Sequence, residues 1–266
     1  MLFLRGLTVA LSGVIFIFLP GSAVALIARR GIAYERSLLL WGMAVLVAAL
    51  LPANFLTSLG RQIALTGREA GPATPYLVAL LGSLLVALFV EGAKYLLLRW
   101  RKPPPESLLA AGVMVGLGVG LLTKVFQGFA LLGAGIRLIF GDTSTAELAA
   151  IAAQDWPSLL INLLALITDR MALVVIGAAL GALVAQAIGS GQSRWLWLAV
   201  MLNAAFSWTY TAIGLSLGSG ALSANLLVIV YEGALATLAF YWLSVQPRRW
   251  EQAQAKPRRR AAARKA

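Results

Sequence analysis

A polytopic all-α membrane bundle is the fold class this sequence predicts, and three observations predict it. The 266 residues are 60% hydrophobic and 12% charged, whereas soluble domains average about 45–50% apolar and about 25% charged. The mean hydropathy is +0.85. The apolar residues gather into seven stretches, each near or above the ~20 residues needed to cross ~30 Å of hydrocarbon. The basic residues fall unevenly on alternate connections, as the positive-inside rule requires of a multi-pass protein in a cell membrane.

The seven stretches cover residues 7–28, 37–59, 75–98, 107–139, 157–188, 195–217 and 222–245. The first ends in "GSAVA", with the small-x-small pattern Ala23-Val24-Ala25 of a cleavable signal peptide. Charge argues against cleavage. With seven spans and a cytoplasmic C-terminus, the inner segments hold Arg29, Arg30, Arg36, Arg99, Arg101, Lys102, Arg194 and the basic residues of 246–266. The outer side holds Arg5, Arg61, Arg68 and Arg137, with the acidic loop "GDTSTAELAAIAAQDW". Cleavage after Ala25 would leave six spans and put the basic tail outside, against this bias. One transmembrane domain, 1–245, is therefore expected, followed by a basic cytoplasmic tail, 246–266, that favours anionic lipid.

Spans 1 and 2 are expected at the periphery, because the charged and amide residues concentrate in spans 3 to 7. Spans 4 and 5 are too long for a straight perpendicular crossing and must tilt, break or carry interfacial turns. Span 4 has Gly112, Gly116 and Gly120 at four-residue spacing with Gly118 between, and span 5 has Gly177 and Gly181. Such small-residue faces let helix backbones approach closely.

Well inside the spans lie Glu91, Lys94, Lys124, Asp169, Arg170 and Glu232, three acids and three bases. A charge at a helix centre costs roughly 2.5–3.5 kcal/mol on insertion scales, so each needs a partner or a task. Glu91 and Lys94 stand three apart on one helix face, an expected ion pair. Asp169 and Arg170 are adjacent, point in different directions, and need partners on other helices. Gln127, Asn162, Asn203 and Asn225 complete a polar interior.

The chain has no Cys and no His. Disulfides, thiolate sites and imidazole bases are thereby excluded. There is no P-loop, no dinucleotide fingerprint, no metal-ligand spacing and no clear internal duplication. No cofactor or metal is expected, and the basic charge speaks of topology and lipid rather than nucleic acid.

The motif Val90-Glu91-Gly92-Ala93-Lys94, together with three shorter motifs downstream within residues 85–210, resembles the YhfC-type glutamic intramembrane proteases. These are relatives of the PrsW-like and CAAX-prenyl-protease-like families. The family's first motif is a Glu pair followed after two residues by Arg or Lys; here Val90 replaces the first Glu. Its glycine-rich second motif carries His and Glu, and "GLGVGLLTKVFQG" has Val119 and Thr123 at those positions. Its third motif is Glu-Arg with a His seven residues on; here stand Asp169, Arg170 and Gly177. A His in the following span is replaced by Asn203.

The resemblance implies the protease fold and a substrate-shaped cavity whose catalytic positions are mostly replaced. Three functions are expected. The first is a catalytically degenerate peptidase relative that binds a transmembrane or lipid-linked partner in the former cleft, through Lys94, Lys124, Arg170, Asn203 and Glu232. The second is an active intramembrane peptidase that uses Glu91 and Asp169 as a carboxylate pair. The third is a small transporter relaying protons or binding substrate at Lys124, Asp169 and Glu232.

Overall fold

The computed structural model describes the backbone of residues 1–29, 36–66, 71–218 and 221–263, and their side chains except at 19–29, 36, 59–66, 123, 124, 170 and 246–263. Every regular element among the described residues is an α-helix: α1 (Leu2–Arg29), α2 (Arg36–Thr66), α3 (Thr74–Arg101), α4 (Leu108–Ile139), α5 (Ala146–Ala153), α6 (Trp156–Ser190), α7 (Arg194–Leu217) and α8 (Leu222–Ala263). Six of them are long and apolar enough to cross a membrane, and the described apolar part of α1 is Leu2–Phe18. The chain is a multi-pass membrane protein.

Local sequence explains the breaks. Pro103, Pro104 and Pro105 follow α3, and the chain leaves that helix through Lys102 at φ 47°. Proline cannot continue the ladder, so the turn is forced there. Asp155 caps α6 by accepting the Ser158 N–H at 3.2 Å, and Pro157 occupies its first turn. Hydrogen bonds from Ser158 hold the Asp155 carboxyl below the usual range. Gly191 closes α6 at φ 68°, in the left-handed conformation glycine adopts freely.

The acidic connection expected between spans 4 and 5 contains a helix that the hydrophobic pattern does not reveal, α5, capped by the Thr145 hydroxyl accepting from the Leu148 N–H. Ahead of it, the Ser144 N–H and Arg137 Nε both donate to Asp142, at 2.9 and 2.7 Å. They lower its pKa to about 2.

α4 and α6 are single uninterrupted helices of 32 and 35 residues. At 1.5 Å per residue they measure roughly 48 and 52 Å, so they exceed the hydrocarbon thickness without breaking. They form the centre of the bundle. Val113, Leu117, Val174 and Val184 are all 0% exposed, and Leu38, Leu98 and Leu243 of other helices join the same core.

Glycine sets the packing distance. A Cβ on Gly177 would lie 2.8 Å from the Gly116 carbonyl oxygen, and one on Gly181 would collide with the Gly112 carbonyl. α1 and α2, expected at the periphery, also press closely on α4. A Cβ on Gly6 would lie 2.6 Å from the Ile139 nitrogen, and one on Gly128 would lie 3.0 Å from the Gly13 carbonyl. On another face of α4, a Cβ on Gly42 would lie 3.0 Å from the Gly118 Cα. Backbone-to-backbone contact on three faces makes α4 the axis of the fold.

Candidate functional site

α3 brings Glu91 and Lys94 to the bundle interior one turn apart, at 0% and 1% exposure. Lys94 Nζ donates to Glu91 Oε1 at 2.8 Å. From α7, Asn203 Nδ2 donates to the same oxygen at 2.7 Å. Glu91 Oε2 is buried and has no hydrogen-bond partner among the described residues. The expected ion pair is formed, and an amide from a second helix completes it.

This cluster backs a cavity of about 290 Å³. Val90 and Lys94 of α3, Val119 and Gly120 of α4, Asp169 and Gly177 of α6, and Asn203 of α7 line it. Gly120 lies in the α4–α6 contact; a Cβ there would meet the Val174 Cα at 2.8 Å, so a larger residue would push these helices apart. Asp169 is 5% exposed. Glu232 is fully buried on α8 and does not belong to the lining. The side chains of Thr123, Lys124 and Arg170 lie outside the described residues.

Two lining groups are not singled out by the sequence: Ser207 and Tyr210. With Asn203 they recur at i, i+4 and i+7, one face of α7, so the signal is present as a polar stripe in an apolar helix. Ser83 Oγ donates to Ser207 Oγ at 3.4 Å, tying α3 to α7. Above this contact a wider recess of about 630 Å³, lined in part by Asn54, Thr57, Thr74 and Thr211, shares Val86 and Ser207 with the cavity. Its hydroxyl and amide lining contrasts with the lipid-facing surface. Elsewhere, Asn225 donates to Asn162, which donates to Gln154 at 3.2 Å; these amides join α6 to α8 away from the cavity. Gln127 Oε1 is buried without a hydrogen-bond partner among the described residues.

Chemically, the cavity wall offers donors at Lys94 and Asn203 and an acceptor at Asp169 within an apolar surround. One Glu91 oxygen is saturated by an ammonium and an amide. Using Glu91 as a base would require working through Oε2 while that network stays intact, and the chain has no His to protonate a leaving amine. Among the described residues no group of three or more Asp or Glu side chains is placed to hold a metal ion. Comparison with protein-family models, with curated proteins and with solved structures returns no match.

Proposed function

We propose that this membrane protein is a catalytically degenerate relative of the YhfC-type intramembrane proteases, binding a transmembrane or lipid-linked partner in the cleft between α3, α4, α6 and α7. One observation carries the reading. Of the five positions that in this reading replace the family's Glu or His, Val90, Val119, Gly177 and Asn203 come from four helices and line one cavity, while the side chain of Thr123 lies outside the described residues. Chance replacement of scattered apolar positions gives no reason for such convergence. Lys94, Asp169 and Asn203 supply the polar contacts. In this reading α1 is a seventh crossing, with its first residue outside and residues 246–266 in the cytoplasm.

A second reading, an active carboxylate peptidase, draws on the vacant Glu91 Oε2. A co-expressed single-pass substrate separates the two. The degenerate reading expects no cleavage by wild type beyond that seen with Glu91→Gln. Cleavage that Glu91→Gln abolishes, in protein that retains its helix content and migrates normally, would overturn it.

A further inference from the structure

The geometry points to a binding site for one anionic phospholipid in the groove between α6, α7 and α8, with an acyl chain in the groove and the phosphate at Arg194. α7 and α8 both pack on α6 and leave between them a recess of about 460 Å³. Its floor is Leu180 and Leu183, and its walls include Leu198, Leu202, Leu235 and Leu238. Leu198, Leu202 and Leu238 are exposed, so the recess opens sideways toward lipid rather than toward water. A lateral apolar recess in a bilayer takes hydrocarbon, the only solvent present there.

Its mouth has the character of a membrane interface. Trp195 and Trp242 line one end, where α6 finishes and α7 begins. Aromatic rings of this kind sit at headgroup level. Arg194 is exposed at that end, with its guanidinium 5.3 Å from the Trp195 ring centre. α7 has no Asp or Glu, and α8 has none between Glu232 and Glu251, so no acid of either helix stands beside Trp195 or Trp242 in sequence. Arg194 is thus a cation next to an aromatic, apolar groove end, and guanidinium binds phosphate through paired N–H donors. Basic sites between membrane helices recognise anionic headgroups in this way.

This site is independent of the function proposed for the central cleft. Ile176, Leu180 and Phe206 form a wall common to both spaces, so a bound chain would lie against the central cavity without entering it.

Native mass spectrometry of the full chain, titrated with phosphatidylglycerol or with phosphatidylcholine of the same acyl composition, tests the proposal. One phosphatidylglycerol retained per chain is expected, in preference to phosphatidylcholine. Arg194→Gln, at an exposed position, should fold normally and weaken retention about five-fold, the equivalent of one basic contact at about 1 kcal/mol. Ala239→Trp, which fills the groove, should remove the retained lipid. A triple Arg258→Gln, Arg259→Gln, Arg260→Gln variant should leave retention unchanged. Equal retention of the two lipids, no effect of Arg194→Gln, or loss on neutralising the tail residues would each overturn the site.

Discussion

At the residue scale the interior is organised by one ion pair with a third member. Lys94 and Asn203 converge on Glu91 Oε1, and both members of the ion pair are removed from solvent. Breaking a buried pair from one side leaves an uncompensated charge, which costs about 3–5 kcal/mol, whereas replacing both partners by apolar groups is often neutral. Glu91→Gln alone should therefore lower stability by about 3–5 kcal/mol, and adding Lys94→Met should recover most of that loss. Reversible unfolding in mixed micelles, run as a double-mutant cycle, measures it; a double variant no more stable than Glu91→Gln would contradict the pairing. The pair is legible in the sequence because three-residue spacing fixes it on one helix. The hydrogen bond from Asn203 is not legible from spacing, since 112 residues separate it from Glu91. Ser207 and Tyr210 share a polar stripe with Asn203, but such a stripe is easily passed over, because a hydroxyl in an apolar helix usually bonds its own backbone, as Thr211 and Thr237 do here.

At the element scale the apolar cores of the seven long helices are legible from hydropathy, because an unbroken apolar run has few other solutions in lipid, but the polar extensions of α2 to Thr66 and of α8 to Ala263, and the short α5, are not. What hydropathy does not carry is the choice of neighbours. The four-residue glycine spacing of α4 and α6 is visible in the sequence and does mark their contact. Gly6 and Gly13 recur at seven residues, as do Gly128 and Gly135, and this longer period is harder to recognise as a helix-packing face. α1 keeps an exposed face, with Leu11, Val14 and Phe18 outward, as a peripheral helix should, yet these glycines lock it to α4 more closely than its sequence announces. These faces separate glycines that are required from those that are incidental. Gly116→Ala would drive a methyl into the Gly177 carbonyl, whereas a Cβ at Gly133 meets nothing within 4 Å. Gly116→Ala should destabilise by about 1–3 kcal/mol through overpacking. Gly133→Ala should be neutral, or stabilise by up to about 1 kcal/mol through helix propensity. Comparable unfolding midpoints for the two variants would mean that the glycine contacts do not set the helix spacing.

At the scale of the whole molecule, the helix directions constrain how the bundle lies in the membrane. α1 runs antiparallel to α4, with Gly6 beside Ile139 and Gly13 beside Leu132. α6 runs antiparallel to α4, through Gly112–Gly181 and Gly116–Gly177. α8 starts beside the start of α6, where Asn225 meets Asn162. The start of α1, the Asp142 turn and the start of α8 therefore share one end of the bundle, and Lys102, Arg194 and the run toward Arg249 share the other. Basic charge is concentrated at the second end, and the positive-inside rule predicts that this end faces the cytoplasm. Because the protein has no native Cys, single cysteines report sidedness directly. Ser144→Cys, in the Asp142 turn, should react with a membrane-impermeant maleimide added to intact cells. Lys102→Cys should react only after the membrane is permeabilised. Both sites lie in exposed connections, so the labelling reports position in the membrane and not burial. Labelling of Lys102→Cys in intact cells, with Ser144→Cys protected, would invert the bundle and place its basic end outside. The recess lined by Asn54, Thr57 and Thr211 would then open to the cytoplasm, and a partner's polar part would have to approach the Glu91–Lys94–Asn203 cluster from within the cell.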